Sequence, residues 1–310
     1  MKNGNRKFKE GAVMHVYQRA IHGFNLFYTL SDYLVFYTIF SVFARRFDIC
    51  VMSLCLMIDH FHALLVTDTK RSLSTFIASV TSLYARLFNE TIRRKGQFFD
   101  KSFGSAPKIV EKQVRTSIPY VFNNPVEKKL CTDPKDYRWN FFAYLFSDFP
   151  FSEKMYIKKA SKYLRWAIKE VSRCFENGLW LNYAQLDRLY THLSVLEQEQ
   201  LTDYIIQTYS PFDKEKLVSY YKSLDFMSVA ISSTTGSEYD IKEEYHRSSD
   251  VLYSGIEQYI REKLSVSPKN LLALPVDEKI EKARQIAANT NATDRQIAKY
   301  LHLPFKKGGA

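Results

Sequence analysis

The chain has 310 residues, 46% of them hydrophobic and 15% aromatic, and a formal net charge of +11. That apolar content supports a sizeable core and excludes wholesale disorder, and the length leaves room for two or three domains. Residues 1–150 carry 21 Lys and Arg against 12 Asp and Glu, and residues 151–310 carry 23 against 21. The excess positive charge therefore sits in the first half and points to a polyanionic partner, nucleic acid first and an anionic membrane second.

The opening "MKNGNRKFKEG" is basic and polar with no apolar run behind it, unlike a secretory signal. The longest apolar runs, "YLVFYTIFSVFA" and "ICVMSLCLMI", are too short to span a bilayer. Cys50, Cys55, Cys131 and Cys174 form no C-x-x-C pair, and an odd separation would put Cys50 and Cys55 on opposite faces of a strand. Free thiols of a reducing compartment fit this pattern, and a cytoplasmic protein with no membrane partner is expected.

Residues 12–21, "AVMHVYQRAI", mix β-branched and aromatic residues and read as a strand. Residues 30–47 read as a helix, with Ser31 as its cap and Arg45 and Arg46 at the negative end of its dipole. Residues 48–57 are apolar on both faces, as a central strand would be, and Ile58-Asp59 turns the chain into a second strand, "HFHALLV". Residues 72–90 repeat apolar positions at three- and four-residue steps and predict an amphipathic helix. A basic-aromatic loop, "IRRKGQFFDKSF", leads to a further strand, and residues 111–129 predict a helix that stops at Pro125. This order predicts an α+β domain over 1–150, a ferredoxin-like antiparallel sheet with helices mainly on one face. A helical domain follows over 151–231. A loop, "SSTTGSE", opens the last segment, 232–310, which ends in a helical tail. There a turn at Asn291 and a cap at Thr293 suggest a partial helix-turn-helix.

The segment "MIDHFHALLV" carries two of the seven histidines. In an extended strand, residues two apart point the same way, so His60 and His62 share one face, with Phe61 and Ala63 on the other. Two imidazoles side by side on a rigid sheet can hold a metal; a pair of structural histidines near a sheet end is the alternative. In "IPYVFNNPV", Tyr120 and Asn124 lie one helical turn apart and project from one face. Tyr120 suits a phenolic nucleophile and Asn124 an amide-oxygen ligand; core packing is the alternative for a chain with 21 tyrosines.

With "HVYQRA" at 15–20, "CLMIDHFHALLV" at 55–66, "YARLFNETIRRKGQFFDKSF" at 84–103 and "YVFNNPV" at 120–126, the sequence resembles the single-tyrosine HUH transposases. That family includes insertion-sequence transposases and the transposase-like proteins associated with repetitive extragenic palindromes. The resemblance spans roughly residues 12–150. It implies an HUH nuclease domain in which His60 and His62 bind Mg²⁺ or Mn²⁺, with Asn124 where the family often places a third ligand. Tyr120 would attack a DNA phosphate to leave a 5′-phosphotyrosine and a free 3′-OH. The implied activity is that of a DNA transposase or single-strand endonuclease-ligase acting on hairpin or repeat DNA. A homodimer would make paired cleavages easiest, and successive events on a monomer are the other route. Two departures stand out: the family commonly has Pro-Asn before the first histidine where this chain has Ile58-Asp59, and Pro119 directly precedes Tyr120.

For DNA contacts, Arg93, Arg94, Lys95 and, more weakly, Arg115 are expected on phosphates, and Phe98 and Phe99 on unpaired bases. A domesticated, catalytically silent DNA-binding protein of the same fold is the competing reading.

Overall fold

Four strands form one antiparallel sheet in the order β2-β3-β1-β4: β1 (Val13–Arg19), β2 (Cys50–Leu56), β3 (His60–Val66) and β4 (Gly104–Lys108). The computed structural model describes residues 7–100, 102–233 and 251–304. The reading of the N-terminus over 1–6, most of the loop expected at 232–238 and the tail beyond Pro304 lie outside those residues. Helix α1 (Leu30–Arg46) connects β1 to β2, and α2 (Lys70–Thr91) connects β3 to β4. This is the expected βαββαβ arrangement of a ferredoxin-like sheet.

The pleat divides the sheet's side chains between two cores. Met14 and Val16 of β1, Leu54 of β2, and Phe61, Ala63 and Leu65 of β3 pack under α1 and α2. Val13, Met52, Cys55 and Leu64 face the other way, onto α3 (Glu111–Glu127) and Ile231 of α8 (Leu224–Ser233). The two crossover helices share one face, and the candidate nucleophile's helix covers the other.

Local details differ from the expectations. The cap of α1 is Thr29, not Ser31: Asp32 at the third helical position completes a capping box by accepting from the Thr29 backbone N–H at 2.8 Å. The cysteines of β2 do not face opposite ways. A register shift between Val51 and Ser53 inserts one residue, so Cys50 opposes Val66 and Cys55 opposes His62. Both thiols then lie on the α3 side, because a bulge reverses the parity of everything beyond it. Helix α3 does not stop at Pro125 but runs to Glu127 with Pro119 and Pro125 inside it. Pro119 has no N–H for the carbonyl of Arg115, and the Tyr221 hydroxyl donates to that carbonyl at 3.0 Å instead.

Among the described residues, the elements that follow are helical. They include α4 (Lys162–Glu176), α5 (Tyr183–Tyr190), α6 (Val195–Thr208), α7 (Lys214–Val218), α9 (Val251–Tyr259), α10 (Pro268–Leu272), α11 (Val276–Asn289) and α12 (Asp294–Tyr300). One hydrophobic cluster runs from the sheet through α1 into α4, α5, α6 and α12. Polar contacts cross the same boundary. Tyr37 donates to the Ile206 carbonyl at 2.8 Å, Tyr183 donates to Asp32 at 2.8 Å, and Lys269 meets Asp32 at 3.1 Å. Thr293 caps α12 as expected, and the seven-residue helix buries Ile297, Ala298 and Tyr300 while Asp294 and Arg295 stay exposed. Among the described residues no helix is long and apolar enough to cross a membrane.

Candidate active site

The site is built where β1, β3 and α3 meet. Register places Tyr17 opposite His62 and Arg19 opposite His60. His60 and His62 follow the alternation of β3 onto the α3 side, and both are buried, at 1% and 0% exposure. Their rings meet edge to face with centroids 4.9 Å apart. The turn before them is held firmly. Met57 donates its N–H to the His60 carbonyl at 2.8 Å, Leu26 donates to the Ile58 carbonyl at 2.6 Å, and Ala20 donates to the Asp59 carbonyl at 3.0 Å.

Each histidine has its Nδ1 engaged. His60 Nδ1 lies 2.5 Å from Asp59 Oδ1, so a proton on that nitrogen is donated to the carboxylate. His60 Nε2 is buried without a hydrogen-bond partner among the described residues. His62 Nδ1 lies 3.0 Å from Nε2 of His15, whose ring plane is within 10° of its own. His15 comes from the centre of β1 and is 1% exposed.

Electrostatics keep the pair of stacked imidazoles neutral. Burial, with Lys108 adding to it, lowers the His15 pKa to about 3. Burial also carries His62 well below the ordinary histidine value, helped by His60 and His15 and then by Arg19 and Lys128. Burial raises the Asp59 carboxyl. Even so, the attraction and hydrogen bond of His60, with Arg19 and Lys299 beyond, bring it well below the usual carboxylate range. A neutral imidazole is the form that ligates a metal.

Helix α3 brings Tyr120 to this cluster. Its ring stands edge-on to His62 at 5.4 Å between centroids and to His15 at 5.6 Å. Asn124 follows one turn later, and its Oδ1 is buried without a hydrogen-bond partner among the described residues. The neighbouring Asn123 does a different job, donating its Nδ2 to the Ile231 carbonyl at 2.7 Å and tying α3 to α8. Tyr17 completes the ring of aromatics, 6.1 Å from His62 and 5.9 Å from His15. It lies across Gly104 of β4, where a Cβ would sit 2.2 Å from the ring, so only glycine leaves room for it there.

The residues fit a divalent cation by their donor set. Two buried acceptors with no hydrogen-bond partner among the described residues, His60 Nε2 and Asn124 Oδ1, sit on the strand that carries His62 and on the helix that covers it. Such a set is two imidazoles and an amide, not a carboxylate cage. Among the described residues there is no group of three or more His, Cys, Asp or Glu side chains that could hold a metal ion, so a site here would depend on the Asn124 amide.

The candidate DNA contacts fare unevenly. Phe98 and Phe99 are 1% and 6% exposed, and Phe98 stacks on Phe88 at 4.6 Å. They are core residues, which corrects the expectation that they stack on bases: rings this deeply buried offer no free face to one. Arg94 is turned inward, donating to Asn89 Oδ1 at 3.0 Å and to the Gln97 carbonyl at 2.6 Å, and it shapes the loop. Arg93 and Lys95 are exposed on the loop. Arg115 is exposed on α3, over Tyr221 and 3.9 Å from Glu111.

His15 and Asp59 escaped the sequence reading. Their signals were present but faint: His15 alternates onto the same face as Tyr17 in β1, and Asp59 directly precedes His60.

Residues 21–124 match the family model described as "Transposase IS200 like". A comparison with curated proteins finds no match. Among solved structures, the chain is similar to one described as a REP-associated tyrosine transposase bound to a REP hairpin. The identity is 12% and the TM-score 0.41, over 46% of this chain and 84% of that one.

Proposed function

We propose that the chain is a DNA transposase that cleaves and rejoins single strands through Tyr120, a reading supported by the match of residues 21–124 to the IS200-like transposase model. The observation that carries the reading is the meeting of three elements at one point. Tyr120 of α3 stands against His62 of β3 and His15 of β1, and His60 Nε2 on β3 and Asn124 Oδ1 on α3 have no hydrogen-bond partner among the described residues.

In this reading Tyr120 Oη forms a bond to the phosphorus of a DNA phosphodiester while the bond from phosphorus to the 3′ oxygen breaks. The phenol gives up one proton and the 3′ oxygen gains one, so the products are a 5′-phosphotyrosine and a free 3′-OH. One phosphodiester linkage replaces another of similar energy, which lets a second 3′-OH reverse the step without ATP. His60, His62 and Asn124 would hold Mg²⁺ or Mn²⁺. When bound, the ion would polarise a phosphoryl oxygen and offset the charge that builds on it. The protein's own part is to orient the phenol. Tyr120 is fixed on a helix by packing against two imidazoles, not carried on a loop, which limits the misplacement that costs rate.

Tyr120 is 2% exposed. A phosphate therefore reaches it only when the space between α3 and the sheet opens. Helix α3 is suited to yield, because Pro119 and Pro125 each remove one hydrogen bond from its ladder. Phosphate contacts fall to the exposed cations Arg93, Lys95 and Arg115, and the substrate class is single-stranded DNA beside a hairpin or palindromic repeat. The concentration of positive charge in residues 1–150 supports such a polyanion.

The test uses the full-length chain and a hairpin with a single-stranded flank, labelled at its 3′ end or its 5′ end, in Mn²⁺ or in EDTA. The reading predicts that protein becomes covalently labelled by the 3′-labelled strand only, and only with metal. Labelling by the 5′-labelled strand would reverse the polarity of the reaction. Undiminished labelling in EDTA would remove the metal from it.

A further inference from the structure

The Nδ1 atoms of both candidate metal-binding histidines are held by partners that the family resemblance did not single out, and the two partners solve the same problem. An imidazole ligates through a nitrogen that carries no proton, so its one remaining proton has to sit on the other nitrogen. In solution the two neutral tautomers exchange freely. A fixed acceptor at Nδ1 removes the freedom and directs Nε2 outward as a lone pair.

We propose that Asp59 and His15 are positioning residues that lock His60 and His62 in the Nδ1–H tautomer, so that both present Nε2 to the divalent cation of the proposed site. This rests on the metal reading given above.

The geometry differs between the two. Asp59 accepts from His60 Nδ1 at 2.5 Å, and its backbone is pinned, the carbonyl taking the Ala20 N–H at 3.0 Å. The carboxylate lies at a strand-opening turn, with its side chain 27% exposed. His15 stands on the central strand, paired with Leu64 and Ala106, and meets His62 diagonally across the β1–β3 ladder. His15 Nε2 accepts only if its own proton is on Nδ1, so the lock on His62 propagates into a defined tautomer of His15 as well. The two locks are chemically unequal. A carboxylate adds charge that makes the His60 ring a better donor, and a neutral imidazole supplies orientation alone. An asparagine Oδ1 can accept the same proton but lacks the charge.

The experiment takes full-length protein with ¹⁵N-labelled histidine and measures two things: the tautomers of His60 and His62 by ¹⁵N chemical shift without metal, and Mn²⁺ affinity by calorimetry. The parent is expected to show both rings protonated on Nδ1 and to bind Mn²⁺. Asp59→Ala should release His60 into a tautomer mixture and weaken Mn²⁺ binding by about 10- to 100-fold, the range for lost outer partners of metal ligands. Asp59→Asn should keep the tautomer and fall between the two in affinity, which a general loss of fold would not reproduce. His15→Gln, which retains an acceptor, should be milder than His15→Phe. A parent that binds Mn²⁺ and an Asp59→Ala protein that binds it equally well, with His60 unchanged, would overturn the lock while leaving the metal site standing. A parent that takes up no Mn²⁺ would overturn the metal reading itself and the lock with it.

Discussion

Asp32 is the polar joint between the sheet and the helical remainder, and Asp32→Ala should expose its worth. The residue is 0% exposed. It accepts from the backbone N–H of Tyr28 at 2.9 Å and of Thr29 at 2.8 Å, from the Tyr183 hydroxyl at 2.8 Å, and it meets Lys269 at 3.1 Å. Alanine removes a helix cap, worth about 1 kcal/mol. It also strands a buried tyrosine hydroxyl, at roughly 1–3 kcal/mol. Lys269, whose side chain is 18% exposed, loses its anion, and breaking a buried pair on one side costs on the order of 3–5 kcal/mol in total. These contributions overlap, so a net loss of about 4 kcal/mol is expected. In a chain of this length, a kcal/mol shifts the melting midpoint by at most about 2–4 °C, and a drop on the order of 10 °C should follow. Differential scanning calorimetry measures it. Lys269→Met in the Asp32→Ala background should recover part of the loss, since the stranded charge is then gone. A drop under 2 °C, or no recovery, would refute the view that this buried ion pair joins the two parts.

The shared core makes a second prediction: a chain ending at Pro150 should fail to melt cooperatively, because Tyr37 loses the Ile206 carbonyl and Asp32 loses both Tyr183 and Lys269. A sharp transition by circular dichroism would show that the sheet domain stands alone. A third concerns acid. Burial, with Arg94 and Lys279 adding to it, lowers the His302 pKa to about 3, against 6.5 for an ordinary histidine. The unfolded chain therefore takes up this proton as pH falls through 6.5 while the folded chain refuses it, so stability falls with falling pH by about 1.4 kcal/mol per unit. His302→Asn, a residue that tolerates the φ of 55° there, should lose less stability than the parent between pH 6.5 and 5, by about 2 kcal/mol. An equal change in unfolding free energy for parent and variant, from urea titrations at the two pH values, would contradict it.

The elements of the first 127 residues were legible because their apolar periods are clean and their turns short, as in 72–90 and "HFHALLV". The placing of Tyr120 beside the histidines was foreshadowed by the Tyr120–Asn124 spacing together with the strand parity of His60 and His62. What stayed hidden depended on partners distant in sequence. Helix α3 continues through Pro119 because Tyr221, 106 residues from Arg115, supplies the missing donor. Cys50 and Cys55 share a face because of a bulge with no glycine or proline to announce it. Phe98 and Phe99 follow a run of cations that suggests a nucleic-acid surface, yet they fill the core beside Phe88 and His302. His15 is one aromatic among many until the sheet register carries it to His62.

The most direct test of the account is to trap the covalent protein–DNA species in Mn²⁺, digest it and sequence the modified peptide by mass spectrometry. The account predicts a nucleotide-bearing peptide with the phosphate on Tyr120, absent from Tyr120→Phe protein that still binds the hairpin. A modification mapped to any other tyrosine, or an adduct that survives in Tyr120→Phe, would contradict it.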